Sequence, residues 1–126
     1  MSTAESHSSE PWPTALTYDS AQKSLRVAFE NGDHFQLPAE YLRVESPSAE
    51  VQGHGPSQKI TVAGRRHVGI RQIEPVGNYA VRLIFDDLHD TGIYSWRFLH
   101  ELGREYDVRW RDYVAALEAK GLTRDS

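Results

Sequence analysis

Two short rows of alternating apolar residues face each other across Asn31-Gly32, and they leave the chain few ways to fold there. Leu25, Val27 and Phe29 alternate with Arg26, Ala28 and Glu30, the period of a strand with one buried face. Phe35 and Leu37 repeat the pattern after the turn. A two-residue Asn31-Gly32 loop pairs Ala28 with Phe35 and sends the two rows to opposite faces. A three-residue loop, Glu30-Asn31-Gly32 with Gly32 left-handed, pairs Val27 with Phe35 and Leu25 with Leu37. That register buries a single face, and it is the one predicted.

Structure is expected from about Thr14, with a first strand through Leu16 and Tyr18. Residues 1–13 are Ser- and Glu-rich, lack the apolar surface that offsets ordering entropy, and read as a tail. The domain proper is expected over residues 14–122, with 123–126 as a second, short tail. Pro38 to Arg43 suits one helical turn with Pro38 at its first position. Ser46 to Gln58, dominated by Ser, Gly, Pro and polar residues, reads as a long functional or disordered loop. Lys59 to Val62 is predicted as a short strand. Gly69–Val76 and Asn78–Phe85 form a second predicted hairpin, turning at Pro75-Val76-Gly77-Asn78, with Tyr79, Val81, Leu83 and Phe85 as its inward row. Gln72 interrupts the alternation between Ile70 and Ile73 and marks a bulge. Ser95 is a candidate N-cap for a helix carrying Trp96, Phe98, Leu99 and Leu102 and stopped by Gly103. Asp107 is the candidate cap of a second helix, in which Trp110, Tyr113, Val114 and Leu117 share one face and which Gly121 ends. The predicted class is α+β: an antiparallel sheet of hairpins with two C-terminal helices on one face.

Composition removes several functions. At 126 residues the chain has room for one modest core. A net charge of −4 argues against nucleic acid as the main partner, because phosphate binding needs excess Lys and Arg. No apolar run approaches the ~18 residues needed to span a bilayer, so no membrane partner is expected. Met1 to Glu10 has neither a basic nor an apolar region of a secretory signal, and the cytoplasm is the expected setting. Without cysteine there is no disulfide, thiolate ligand or thiol catalysis.

Four motifs carry a family resemblance: Ser46-Pro47-Ser48-Ala49-Glu50, Gly53-His54-Gly55-Pro56, Val76-Gly77-Asn78-Tyr79-Ala80, and Thr91-Gly92-Ile93-Tyr94-Ser95-Trp96. Their order, between about Thr14 and Leu122, resembles the small N-terminal domain of γ-butyrobetaine hydroxylase and its standalone bacterial relatives. In the hydroxylase that domain holds zinc with a Cys-Pro-Cys-x-x-Cys run and a distant histidine. The resemblance places Ser46, Ser48 and Val51 at the three cysteine positions and His89 at the histidine. The hydroxylase's following domain binds iron and 2-oxoglutarate, and needs far more residues than remain here. Similar domains are also joined to P-loop ATPases that carry iron–sulfur clusters. The resemblance therefore implies an accessory module whose chemistry lies on a neighbour, with a degenerate metal site.

Serine hydroxyls are poor ligands for transition metals and Val51 offers no donor, so no zinc and no other cofactor is expected. The corner is then held by hydrogen bonds from Ser46 and Ser48 to backbone groups and by packing of Val51. A metal-binding alternative joins His89 to His54 and one carboxylate from Glu50, Asp86, Asp87 or Asp90, a donor set that suits iron or manganese better than structural zinc. Against it stands a plain loop in which Asp90 or Thr91 caps the turn and His89 bonds a loop carbonyl. Ser48 and Ser95 invite pairing with a histidine, yet no Gly-x-Ser-x-Gly elbow accompanies them. Asp86 and Asp87 are strand neighbours that point to opposite faces rather than an acid–base pair. Arg65-Arg66-His67, with Lys59 and Arg71, is the one basic patch and lacks interleaved aromatics for stacking bases. Trp12, between two prolines, is a candidate docking anchor. Together these residues predict a non-enzymatic accessory or interaction module with a protein partner of unspecified identity. Glu50, His54, Asp87, His89 and Asp90 are its candidate ligand or partner surface.

Overall fold

β2 (Ser24–Phe29) and β3 (His34–Pro38) take the register that buries one row: Val27 pairs with Phe35 and Leu25 with Leu37. The Phe29 N–H donates to the Asp33 carbonyl at 2.8 Å, closing a three-residue loop, and Gly32 has φ +94°. A side chain at that φ would be strained, which is why the bulged loop needs glycine. The computed structural model describes residues 11–53, 55 and 58–125. The expected N-terminal tail, apart from Pro11 to Pro13, lies outside them, as does His54.

β1 (Pro13–Asp19) adds to the outer side of β2, giving a three-stranded antiparallel sheet in the order β1-β2-β3. A second antiparallel sheet follows in the order β4-β5-β6, from β4 (Ile70–Val76), β5 (Ala80–Phe85) and β6 (Gly92–Ser95). Its register shifts between Ile70 and Gln72, the bulge expected from the broken alternation. Pro75 lies on edge strand β4, where its missing N–H removes no ladder bond to a further strand. The hairpin turns one step later than predicted, across Gly77 to Tyr79, with Val76 paired to Ala80. Tyr79 is therefore in the turn and 56% exposed, whereas Val81, Leu83 and Phe85 do form the buried row.

Among the described residues, four helices complete the α+β architecture: α1 (Ala39–Val44), α2 (Ala49–Gln52), α3 (Trp96–Arg104) and α4 (Tyr106–Ala119). Pro38 precedes α1 as its N-cap instead of starting it. Ser95 caps α3 as predicted, its hydroxyl accepting the Phe98 N–H at 3.1 Å. Gly103 does not stop α3. A Cβ there would lie 2.4 Å from the Phe35 ring, so the glycine lets the helix pack flat on β3. Glu105, not Asp107, precedes α4, and Asp107 sits in its first turn. On α4, Tyr113 and Leu117 are buried beside Val44, with Trp110 and Val114 half-buried around them. Gly121, with φ +66°, follows the helix end. The predicted strand at Lys59 to Val62 is irregular chain, tied down by the Ile60 N–H to the Val51 carbonyl.

One apolar cluster joins the two sheets and α3, through Leu25, Val27, Leu37, Leu83, Phe85, Leu99 and Leu102 among others. Tyrosine hydroxyls cross the seams between elements. Tyr41 donates to the Leu102 carbonyl at 2.7 Å, Tyr94 to Leu42 at 2.6 Å and Tyr113 to Val62 at 2.6 Å. Burial pushes the Tyr113 phenol up to about 12, so it stays a donor throughout the physiological range. Residues 123–125, read from sequence as a tail, lie against the 64–66 loop, where Gly64 and Arg66 donate backbone N–H groups to Thr123 and Arg124.

Candidate functional site

α2 and the β5–β6 connection meet at one corner. Inside the stretch expected to be all loop, Ser48 starts a short helix by accepting the Glu50 N–H at 3.1 Å. That turn buries Val51 and leaves Glu50 on its outer side. Opposite it, the Phe85 N–H donates to the His89 carbonyl at 3.0 Å and the Leu88 N–H to Phe85 at 3.1 Å. Leu88 takes φ +76°, and the Asp87 carboxylate accepts the His89 N–H at 3.1 Å. This tight turn, capped by Asp87 and not by Asp90 or Thr91, aims the His89 ring inward.

The ring meets side chains on both nitrogens, not a loop carbonyl. Ser46 Oγ lies 2.9 Å from Nε2, and Glu50 Oε1 lies 3.1 Å from Nδ1. Burial, then the Arg43 charge, holds the His89 pKa below its ordinary 6.5 despite Glu50 and Asp87. The ring is thus neutral at physiological pH and carries one N–H. A carboxylate can only accept, so the proton sits on Nδ1 toward Glu50 and the Ser46 hydroxyl donates to Nε2. Ser46 Oγ in turn accepts the Ser48 N–H at 3.2 Å. Ser48 Oγ pairs with Thr91 Oγ1 at 2.6 Å, and Gln52 donates to the Ser46 carbonyl at 2.8 Å. Gly92 closes the roof: a Cβ there would come 2.6 Å from Ser46 Oγ.

Asp87 sits between two guanidiniums, with Arg43 Nε at 2.8 Å and Arg65 Nε at 2.6 Å from Oδ2. Burial alone would raise its pKa, but the His89 N–H and the two arginines outweigh it and hold the carboxyl below 3.8. Arg43 Nη1 is a buried donor with no hydrogen-bond partner among the described residues.

Ser46, His89 and Glu50 have the connectivity of a Ser–His–acid relay, but its exposure is the reverse of a serine hydrolase's. A hydrolase needs the serine at the surface and the acid inside. Here Ser46 has 0% exposure while the Glu50 side chain is 63% exposed. Ser48 and Ser95, the serines singled out from sequence, pair with Thr91 and the α3 N-terminus instead.

The donors at the corner do not fit a structural zinc ion. Ser46 and Ser48 are committed hydroxyls, Val51 has no donor atom, and both His89 nitrogens are engaged. Of the carboxylates expected as ligands, Glu50 meets the ring and the other three are committed elsewhere. Asp87 is clamped by two arginines, Asp86 accepts the Gly69 N–H at 3.0 Å, and Asp90 lies against Arg82. Among the described residues, no three His, Cys, Asp or Glu side chains are placed to share a metal. Three cations of the basic patch are similarly paired within the fold: Lys59 with Glu45, Arg65 with Asp87 and Arg66 with Asp125. Trp12 is 45% exposed beside Tyr79 and Trp96. Sequence reasoning missed Arg43 as a partner of Asp87 and gave Arg65 and Thr91 other roles, because their partners lie far along the chain and leave no local pattern.

The model of the γ-butyrobetaine hydroxylase-like N-terminal family matches residues 16–100, which includes the whole corner. The chain belongs to this family. Among solved structures, two proteins determined by solution NMR are similar to it in sequence and fold. One is 44% identical with a TM-score of 0.79, over 92% of this chain and 91% of that one. The other is 45% identical with a TM-score of 0.80, over 93% and 87%. A crystal structure of a DUF971-family protein of unknown function from Acidithiobacillus ferrooxidans is 35% identical, with a TM-score of 0.61 over 72% of this chain and 91% of that one. No curated protein matches.

Proposed function

We propose that this chain is a non-enzymatic accessory module that acts by binding another protein, with a hydrogen-bonded corner where its relatives' resemblance implies a metal. The observation that carries the reading is the inverted Ser46–His89–Glu50 relay. Its only group with nucleophilic potential is sealed beneath Gly92, while its acid and the neighbouring Leu88, 74% exposed, face outward. A corner built this way supports a surface and presents no reacting atom to a substrate. Among the described residues no helix is long and apolar enough to cross a membrane. The cytoplasm is the setting we propose. The resemblance to domains attached to iron-dependent oxygenases and iron–sulfur ATPases directs the search for the partner toward proteins of those two kinds.

Affinity capture with the full, untagged-after-cleavage chain tests this reading. A stoichiometric complex that re-forms from the two purified proteins is the expected result. A chain that forms no such complex and instead carries about one bound metal, lost together with its stability on chelation, would overturn it.

A further inference from the structure

Arg124 is held by several groups at once. Its Nε donates to Glu40 Oε2 at 2.8 Å and its Nη2 to Oε1 at 2.7 Å, a fork-on-fork pair. The Glu40 side chain, on α1, is only 6% exposed. The guanidinium carbon lies 5.1 Å from the Trp110 ring centre, and Trp110 is itself stacked on Tyr106, 10° from parallel. The backbone on either side is read as well. Gly64 N–H donates to the Thr123 carbonyl at 3.0 Å and Arg66 N–H to the Arg124 carbonyl at 3.1 Å. The next residue, Asp125, is held by the Arg66 guanidinium, with Nη2 at 3.1 Å from Oδ2.

These parts form a recognition site: a recessed carboxylate for a planar fork, an aromatic wall, two N–H groups for the backbone of a short turn, and a guanidinium for an acid one residue on. We propose that this is a docking site for a turn-forming segment carrying arginine followed by an acidic residue, filled in cis by Arg124-Asp125 until a partner's segment displaces them. The inference rests on the interaction role above and gives the partner a chemistry. Physical economy of charge favours exchange over simple opening. A buried carboxylate left alone is strongly destabilising, so the site is always occupied and one arginine replaces another. Lysine is a poor substitute, because a point charge cannot make the bidentate pair or stack flat on Trp110. A tethered occupant competes at an effective concentration of about a millimolar.

The test uses the full-length chain and the peptide N-acetyl-Thr-Arg-Asp-Ser-amide, with binding followed at the Gly64 and Arg66 amides by NMR. Arg124→Ala vacates the site, and is expected to bind the peptide at least about tenfold more tightly than the wild-type chain. The Thr-Lys-Asp-Ser peptide should bind at least about tenfold more weakly than the arginine peptide, the loss of fork geometry. Glu40→Gln in the same background should remove binding. A folded Arg124→Ala chain that ignores the peptide, or that binds the lysine peptide equally well, overturns the proposal. Should Arg124→Ala not fold, the Arg124 Nε–H resonance of the wild-type chain decides. Its progressive shift to the free value on adding peptide supports exchange, and its indifference at concentrations well above about a millimolar overturns it. Failure of the peptide leaves the accessory role standing, since complex formation tests that separately.

Discussion

A neutral imidazole has one N–H to give, and the place of Glu50 decides where the His89 proton sits. Burial is the main reason the ring is neutral, with the Arg43 charge second. The same shift makes stability depend on pH. The imidazole of the unfolded chain, at 6.5, takes up a proton before the folded one does. This contribution is therefore complete above 6.5 and is lost as pH falls toward the folded value. The thermal midpoint is expected to fall between about pH 7 and about pH 5, and to fall less in His89→Gln. Circular dichroism melts of the two proteins check this, and equal falls would show that His89 does not titrate with unfolding. Asp87 acts in a lower window. With its folded value below 3.8, its contribution is present above 3.8 and lost as pH drops through the folded value.

At the scale of elements, Gly103 sets two effects against each other. Alanine in a helix interior is favoured over glycine by about 1 kcal/mol. Its Cβ, however, would lie 2.4 Å from the flat Phe35 ring, and overpacking of that kind costs about 1–3 kcal/mol. The expected outcome for Gly103→Ala is a net loss, read as a lower denaturation midpoint in urea; a gain would show that Phe35 moves aside freely. Leu117, 3% exposed on α4, should cost about 2–5 kcal/mol on replacement by alanine, whereas a loss below about 0.5 would place α4 outside the cooperative fold. The contrast between these two positions shows what sequence could say. The buried face of α4, the β2–β3 register, the bulge near Gln72 and the Ser95 cap follow from periods and turn chemistry within a few residues. Gly103 looked like a helix stop because glycine usually is one after the last apolar residue, and the ring that needs its bare backbone is far back in the chain. Tyr79 continued an alternation past the end of its strand. The four-residue β6 was too short to announce itself.

Across the whole molecule, long-range polar contacts decide what local pattern could not. Ser46 meets His89, Arg65 meets Asp87 and Glu40 meets Arg124, each pair set by how the sheets and helices close on one another. The resemblance grouped Ser46, Ser48, Val51 and His89, which the structure places at one corner, but it did not show the relay that fills it. The last residues of the domain are likewise part of the fold, through Arg124 on Glu40 and Trp110. The central claim is that hydrogen bonds around a neutral His89, and no metal, hold the corner where α2 meets the β5–β6 turn. Long-range proton–nitrogen NMR of the His89 ring in purified full-length protein, before and after a strong chelator, tests it most directly. The account predicts a neutral ring protonated on Nδ1, an Nε2 that accepts a hydrogen bond, and an unchanged spectrum after chelation. A metal-bound nitrogen that reverts to a free imidazole when the chelator is added would contradict it.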